Sequence, residues 1–325
     1  MKKITVIGGG TGAYVVLSGL KDEKIDLGVI VNMTDSGGST GRLRDQLGVL
    51  PPGDLRQCLV ALSDAPDLWR RLFLYRFESG DFAGHNFGNI FLSALEKVST
   101  NYYEVIQTVS YVLKTKGDVI PVTINKTHLC VEYKNGKILK GEGYIDDNIK
   151  ENSKIIRAFL EPKIQSNPRA IKRLKESDLI IISPGDLYTS IIPILLVDRV
   201  AKTISKSRAK IVYIMNLMTK KGQTTHYKAS DHLDELKSYL GREPDWVVIN
   251  NGEVPKNIVN WYHDHLEESV INNLTLSKNK IIQADIVDRA ITIQNKADML
   301  TRSILRHNSF ALSRVIMNII QNKLK

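Results

Sequence analysis

The sequence predicts an α/β protein: a doubly wound, mostly parallel sheet with a small antiparallel β insertion. Three observations carry that reading. Ile4–Ile7 is a short apolar run that breaks at once into Gly8-Gly9-Gly10-Thr11-Gly12 and then a helix-like stretch, Ala13–Leu20. Strand-like and helix-like segments alternate over most of the chain, as crossover connections between parallel strands require. Asp178–Ser183 is near-continuously apolar, the composition of a parallel strand buried on both faces.

The first turn sets the chemistry. A strand, a glycine turn and a helix start present bare backbone N–H groups to an anion. Glycine has no Cβ, so a phosphate can approach the main chain, and the helix N-terminus adds about half a positive charge. Gly8, Gly10 and Ala13 also fit the G-x-G-x-x-G/A spacing of dinucleotide-binding loops. A tight turn without a ligand would read much the same, so the next loop matters. Ile25–Val31 reads as the second strand, ending in Thr34-Asp35-Ser36-Gly37-Gly38-Ser39-Thr40-Gly41-Arg42-Leu43-Arg44. In a doubly wound sheet the tips of the first two strands are neighbours at the carboxyl edge, where ligands bind. Asp35 there could meet ribose hydroxyls, ligate a metal or cap its own loop. Arg42 and Arg44 are planar forks suited to phosphate, unless solvent takes them.

Pro51-Pro52-Gly53 ends the preceding segment, and Asp54 with Gln57 has capping-box spacing ahead of Leu55, Leu59 and Leu62. Arg56 falls in the first turn, where a cation opposes the helix dipole; an anion facing it would explain the placement. Leu68–Phe77, Ile90–Val98 and Tyr102–Leu113 read as helices. Gly84-His85-Asn86-Phe87-Gly88-Asn89 puts a histidine and two amides at a helix start, either as ligand donors or as structural groups. Val119–Ile124, His128–Tyr133 and Ile138–Leu139, with an Asn135-Gly136 turn signal, read as an antiparallel β insertion over 118–145. Strands follow at Lys210–Met215, Trp246–Ile249 and Ile281–Asp285, and helices at Pro168–Lys175, Ile191–Ile204, Ser230–Leu240 and Asn257–Leu266. Polar loops close two of the strands, at Ser183–Ser190 and Asn216–Thr219. The segment 297–325 reads as helical with a break at Arg306-His307-Asn308, Asn308 being the N-cap of Phe310–Leu324.

Composition narrows the classes. At 325 residues with no repeat or low-complexity stretch, the chain reads as a single α/β domain over 1–325. A net charge of +10 suits a nucleic acid, an anionic membrane or a phosphorylated metabolite. No aromatic-rich basic stripe accompanies the charge, so nucleic acid is not expected. The apolar runs are shorter than the roughly 20 residues a membrane span needs, and the N-terminus enters a strand at once, so neither a span nor a secretory signal is expected. Cys58 and Cys130 stand far apart without metal-ligand spacing, which favours a reduced, cytoplasmic compartment. No nucleophile–base order is apparent along the chain.

Six motifs together resemble the bacterial gluconeogenesis-factor family, within the wider group that includes 2-phospho-L-lactate transferase. They are IGGGTG at Ile7–Gly12, TDSGGSTGRLR at Thr34–Arg44, PPGDLRQCLVALSD at Pro51–Asp64, GHNFGN at Gly84–Asn89, SPGDLYTSIIP at Ser183–Pro193 and NLMTKKGQTTHYKASDH at Asn216–His232. The resemblance spans nearly the whole chain. It implies a Rossmann-like fold and a cytoplasmic regulator that binds UDP-N-acetylglucosamine and links carbon metabolism to cell-envelope synthesis and cell shape. It implies no required cofactor and no robust catalysis, a homo-oligomer, and an envelope-synthesis enzyme as partner. The alternatives are a transferase of a phosphorylated group from a nucleotide-activated donor, and an NAD-binding protein. By the resemblance, Gly8, Gly9, Gly10, Thr11, Gly12, Ser36, Gly37, Gly38, Ser39 and Arg42 hold phosphates, with Asp35 and Arg44 beside them. Gly185, Tyr188, Thr189, Ser190, Asn216 and Thr219 meet the rest of the ligand, and Arg306 approaches it; His85, Asn86 and Asn89, from their place at a helix start, are further candidate donors. The family loop usually has two acids before its Gly-Gly; here Ser36 follows Asp35. One carboxylate fewer weakens a divalent-cation site, so no metal is expected, and Asp35 would be its ligand if there were one.

Overall fold

A computed structural model of the chain describes residues 1–292, 295–298 and 303–324. The chain opens β1 (Lys3–Gly8), α1 (Gly10–Leu20), β2 (Asp26–Val31), then five helices: α2 (Gly38–Leu47), α3 (Gly53–Ala61), α4 (Asp67–Leu74), α5 (Phe87–Val98) and α6 (Tyr102–Leu113). β3 (Asp118–Pro121) follows, then β4 (His128–Tyr133), β5 (Ile138–Lys140), α7 (Glu142–Asp146) and β6 (Ile155–Glu161). The second half runs α8 (Pro168–Glu176), β7 (Leu179–Ile182), a π-helical turn (Leu187–Ile191), α9 (Ile192–Leu196), α10 (Val200–Lys206), β8 (Lys210–Ile214), α11 (Ala229–Leu240), β9 (Trp246–Asn250), α12 (Lys256–Asp264) and β10 (Ile281–Ala284). It ends in β11 (Val287–Asp288), β12 (Arg306–His307) and α13 (Ser309–Asn322).

Seven strands form one sheet in the order β10-β9-β8-β7-β1-β2-β3. Every neighbouring pair in it is parallel. From β1 the chain builds outward to β2 and β3, then returns to place β7 on the other side of β1. The reversal leaves a crevice between the carboxyl ends of β1 and β7, the switch point where open α/β sheets take ligands. β1 and β7 lie in the middle and are sealed: Ile4, Val6, Ile7 and all four residues of β7 are fully buried. That is why β7 reads as an unbroken apolar run rather than an alternation.

Three elements differ from the sequence reading. β3 is not part of the insertion. It pairs with β2 as the edge of the main sheet, where Val119 and Ile120 are buried. The antiparallel insertion is the separate sheet β5-β4-β6, closed by a strand from beyond the hairpin. Ile191–Ile204 is not one helix: a π-helical turn ends at Ile191, and the rest is divided at 197–199, where Arg199 has a left-handed φ of 68°. The expected break in the tail is a strand. Arg306–His307 pairs antiparallel with Val287–Asp288. α13 starts only at Ser309, where the Asn308 side chain accepts the Ala311 N–H as expected of an N-cap. Residues 299–302 of that reading lie outside the described residues. Asp54 is no N-cap either: α3 starts at Gly53 after Pro52 without a side-chain cap.

Candidate functional site

The β1–α1 turn is the centre of the site. Gly9 is extended at the N-cap of α1, no side chain caps the helix, and its first turn holds no acid. The first N–H groups of a helix have no partner within it; here they belong to Gly10, Thr11 and Gly12, all half-buried rather than sealed. Gly10 has φ +56, a conformation that favours glycine. The turn packs against the end of β7 so closely that a Cβ on Gly12 would lie 1.7 Å from Pro184 O, and one on Gly8 2.0 Å from Ser183 Oγ.

The second glycine loop meets the first through β2 and α3. A Cβ on Gly9 would lie 2.1 Å from Asp54 Oδ2, so Asp54 sits beneath the first loop. Asn32, at the tip of β2, donates through Nδ2 to Asp54 Oδ2 (3.3 Å) and to Thr189 O (3.2 Å). Asp35 Oδ1 accepts the Gly37 N–H at 2.9 Å, so this carboxylate caps its own loop. Its Oδ2 lies against Gly53, 2.3 Å from where a Cβ would stand. The loops therefore converge on a pair of aspartates rather than facing apart.

The inserted sheet contributes residues that the sequence reading missed. Ser36 N–H donates to Glu142 Oε2 at 3.0 Å, and Ser36 Oγ accepts the Gly143 N–H at 3.1 Å. α7 thus lies over the second glycine loop. Burial holds the Glu142 carboxyl well above the usual range, and the Asp35, Asp146 and Asp54 carboxylates push it the same way. Asp146 is pushed up to about 7, first by burial and then by Asp186. Gln223 donates to Asp146 Oδ1 at 2.6 Å. Lys220 pairs with Glu267 at 3.6 Å, and Asp186, Glu267 and Asp146 raise its pKa against the effect of burial. A five-residue helix after a hairpin gives no pattern from which Glu142 and Asp146 could have been placed here.

Asp146 makes stability pH-dependent. In the unfolded chain it ionises near its ordinary 3.8, in the folded chain near 7. The folded state therefore binds the extra proton, and this group's contribution declines as pH rises from about 4 to 7. Asp146→Asn keeps an oxygen for Gln223 and removes the titration. Its melting temperature is expected to depend less steeply on pH across that window than wild type. Parallel curves would assign the titration to another buried carboxyl beside it, Glu142 or Glu267.

The remaining expected residues divide into two sets. His85, Asn86 and Asn89 gather on Ser39: its Oγ lies 3.2 Å from His85 Nδ1 and accepts from Asn86 N and Asn89 Nδ2 at 3.3 Å each. Burial, then Arg42 and Arg76, lower the His85 pKa, so the ring is neutral at pH 7. Asn216 bonds Gly185 in both directions, at 3.1 and 2.8 Å, tying the end of β8 to the end of β7. Beyond it, Asn216, Leu217, Asn251, Gly252 and Ser269 line a cavity of about 330 Å³. Ser190 is half-buried beside Gly185.

The second set is engaged elsewhere. Tyr188 is fully buried with its hydroxyl 3.2 Å from that of Tyr227, and Thr189 is fully buried. Thr219 Oγ1 accepts the Glu268 N–H. Arg44 pairs with Asp45 at 3.0 Å. Arg42 donates to Ala83 O at 3.1 Å. Arg306 pairs through its backbone strand with Asp288. Arg56 donates to Asn89 Oδ1 (2.8 Å) and Phe73 O (3.2 Å).

An all-parallel sheet with uncapped glycine turns at its switch point defines an α/β protein of Rossmann-like layout. The family model of 2-phospho-L-lactate transferase CofD matches residues 4–290, and the chain belongs to that family. Within it the chain is similar to proteins named gluconeogenesis factor. It is 40% identical over 332 residues to the putative gluconeogenesis factor of Aquifex aeolicus, covering 100% of this chain and 99% of that one. It is 35% identical over 323 residues to the gluconeogenesis factor of Bacillus subtilis, covering 98% of each. A crystal structure of a UPF0052 family member from Bacillus halodurans superposes with a TM-score of 0.86 at 34% identity, covering 98% of this chain and 100% of that one. Among the described residues no helix is long and apolar enough to cross a membrane.

Proposed function

We propose that this chain is a cytoplasmic gluconeogenesis factor that binds UDP-N-acetylglucosamine and transmits its level to an envelope-synthesis enzyme, without catalysing a reaction of its own. The observation that carries the reading is the uncapped start of α1 in the crevice between β1 and β7, where unpaired N–H groups and the helix dipole suit a diphosphate. The cavity beyond Asn216 has room for the nucleoside, and the names of the relatives support the regulatory role.

A specific observation favours a second reading, transfer of a phosphorylated group. Asp35 and Asp54 lie under the glycine loops, where two carboxylates beside a bound diphosphate suit a divalent cation placed between them. These two side chains would hold such a cation, completed by water and phosphate oxygens. Among the described residues, no three His, Cys, Asp or Glu side chains form a metal-binding group.

Thermal unfolding with ligand separates the two. UDP-N-acetylglucosamine in excess over its Kd is expected to raise the melting temperature by several degrees in the presence of EDTA. NAD is expected to raise it less. A shift seen only with magnesium, together with product formation from a nucleotide-activated phosphoacid, would replace the first reading by the second. No shift from any nucleotide would end both.

A further inference from the structure

Away from the glycine loops, a groove of about 350 Å³ lies against α8. Ser166, Pro168, Ile171, Lys172 and Lys175, from α8 and its approach, line it together with Arg199, in the turn before α10. Both sides are held in place by the fold. Asn167 caps α8 by accepting the Arg169 N–H at 3.0 Å, and ties it to β3 by donating to Pro121 O at 2.9 Å. Asp198 N–H donates to Ile164 O at 3.3 Å, which fixes the Arg199 turn against the segment leading into α8.

The charge in the groove is unbalanced. Lys172, Lys175 and Arg199 bring three positive charges, and Glu176 one negative. Glu176 is already engaged: its Oε2 accepts from Lys3 Nζ at 2.7 Å, and Lys172 Nζ stands 3.9 Å from its Oε1. Among the described residues, Lys175 and Arg199 have no ion-pair partner, and both are exposed. Arg199 is also held at a φ of 68°, a left-handed backbone uncommon for a residue with a long side chain. Backbone strain of this kind gathers at ligand clamps.

Shape and lining select the ligand. A bilayer surface does not enter a concave groove, and no aromatic ring lines it for a nucleobase to stack on. The surplus of two positive charges matches a phosphate monoester, which carries nearly two negative charges at pH 7. The Arg199 fork and the two ammonium groups are phosphate donors. Ile171 and Pro168 offer apolar surface to a short carbon chain. We propose that the groove along α8 is a second anion site, which binds a dianionic phosphate ester of a short carbon chain. None of its residues belongs to the glycine loops, so the two sites can be tested apart.

Calorimetric titration of the full chain with glycerol 3-phosphate, without nucleotide, tests it. Wild type is expected to bind the ester more tightly than inorganic phosphate or citrate. Lys175→Glu/Arg199→Glu is expected to weaken binding about tenfold or more, with an unchanged far-ultraviolet spectrum. Arg199→Gly separates binding from folding. Glycine adopts the left-handed backbone freely, so this variant is expected to melt higher than wild type while binding the ester more weakly. Lys97→Glu, an exposed cation on α5, is expected to bind like wild type. A wild type that binds no ester at about 10 mM overturns the site. So does either groove variant binding like wild type, which would place the phosphate elsewhere. Equal weakening in Lys97→Glu would reduce the effect to net charge and overturn it too. Inorganic phosphate or citrate bound as tightly as the ester would overturn the assignment of the ligand.

Discussion

Gly12→Ala is expected to abolish binding of UDP-N-acetylglucosamine and to lower the melting temperature. Gly12 needs no left-handed backbone, so the effect is steric alone. The added methyl would stand 1.7 Å from Pro184 O and 2.5 Å from Pro184 C, and both atoms belong to the backbone. Backbone cannot rotate out of the way as a side-chain tip can, so α1 and the end of β7 must separate. Overpacking of this kind costs about 1–3 kcal/mol or more. The larger consequence is positional: the crevice widens, and the N–H groups proposed to meet a phosphate lose their aim. Calorimetric titration of the folded variant reads the binding, and thermal unfolding reads the cost. An alanine variant with wild-type affinity would show that the close approach of the two loops has no part in the site.

Arg173→Met is expected to destabilise the fold by about 3–5 kcal/mol while leaving ligand affinity in the folded protein intact. Arg173, on α8, has only 6% of its side chain exposed and lies at the amino end of the sheet. It pairs with Asp26 Oδ1 at 2.6 Å and donates to Asp26 O, Ile4 O and Thr5 Oγ1 at 2.6, 2.9 and 3.0 Å. Gly28 leaves the room: a Cβ there would stand 2.9 Å from Arg173 Cζ. The guanidinium thereby joins α8 to β1 and β2. Methionine fills similar volume but leaves buried carbonyls without donors. Urea unfolding measures the loss, and Arg173→Lys should recover only part of it, since an ammonium cannot span four acceptors in a plane. A methionine variant as stable as wild type would mean that solvent satisfies those carbonyls.

Much of the architecture was readable because its causes are local. Ile4–Ile7 followed by five residues of glycine and threonine can hardly be anything but a strand entering a turn, and Asp178–Ser183 has no polar residue between its ends to face solvent. Tyr102–Leu113 and the Asn308 cap came out as read, since helix period and capping are set within a few residues. Val119–Ile124 misled, because an edge strand of a parallel sheet and a strand of a hairpin share one composition; only pairing with β2 separates them. The break at Arg306–His307 was readable, but its strand character was not, because that comes from pairing with Val287–Asp288.

The site was legible in its frame and not in its contents. The glycine loops at Gly8–Gly12 and Gly37–Gly41 stand out because a bare main chain has a compositional signature. Asp54 looked like a helix cap and instead lies beneath the first loop. Tyr188, which looked like a ligand contact, is a core residue. Glu142, which carried no signal, accepts the Ser36 N–H of the second loop on its carboxylate. By itself, then, the sequence determined the alternation of strands and helices, the sealed central strands and the two glycine turns, all properties of neighbours along the chain. Only the tertiary structure decided which carboxylates stand under those turns and which arginines are already engaged. Those outcomes depend on contacts between residues tens to hundreds of positions apart, and no periodicity records them.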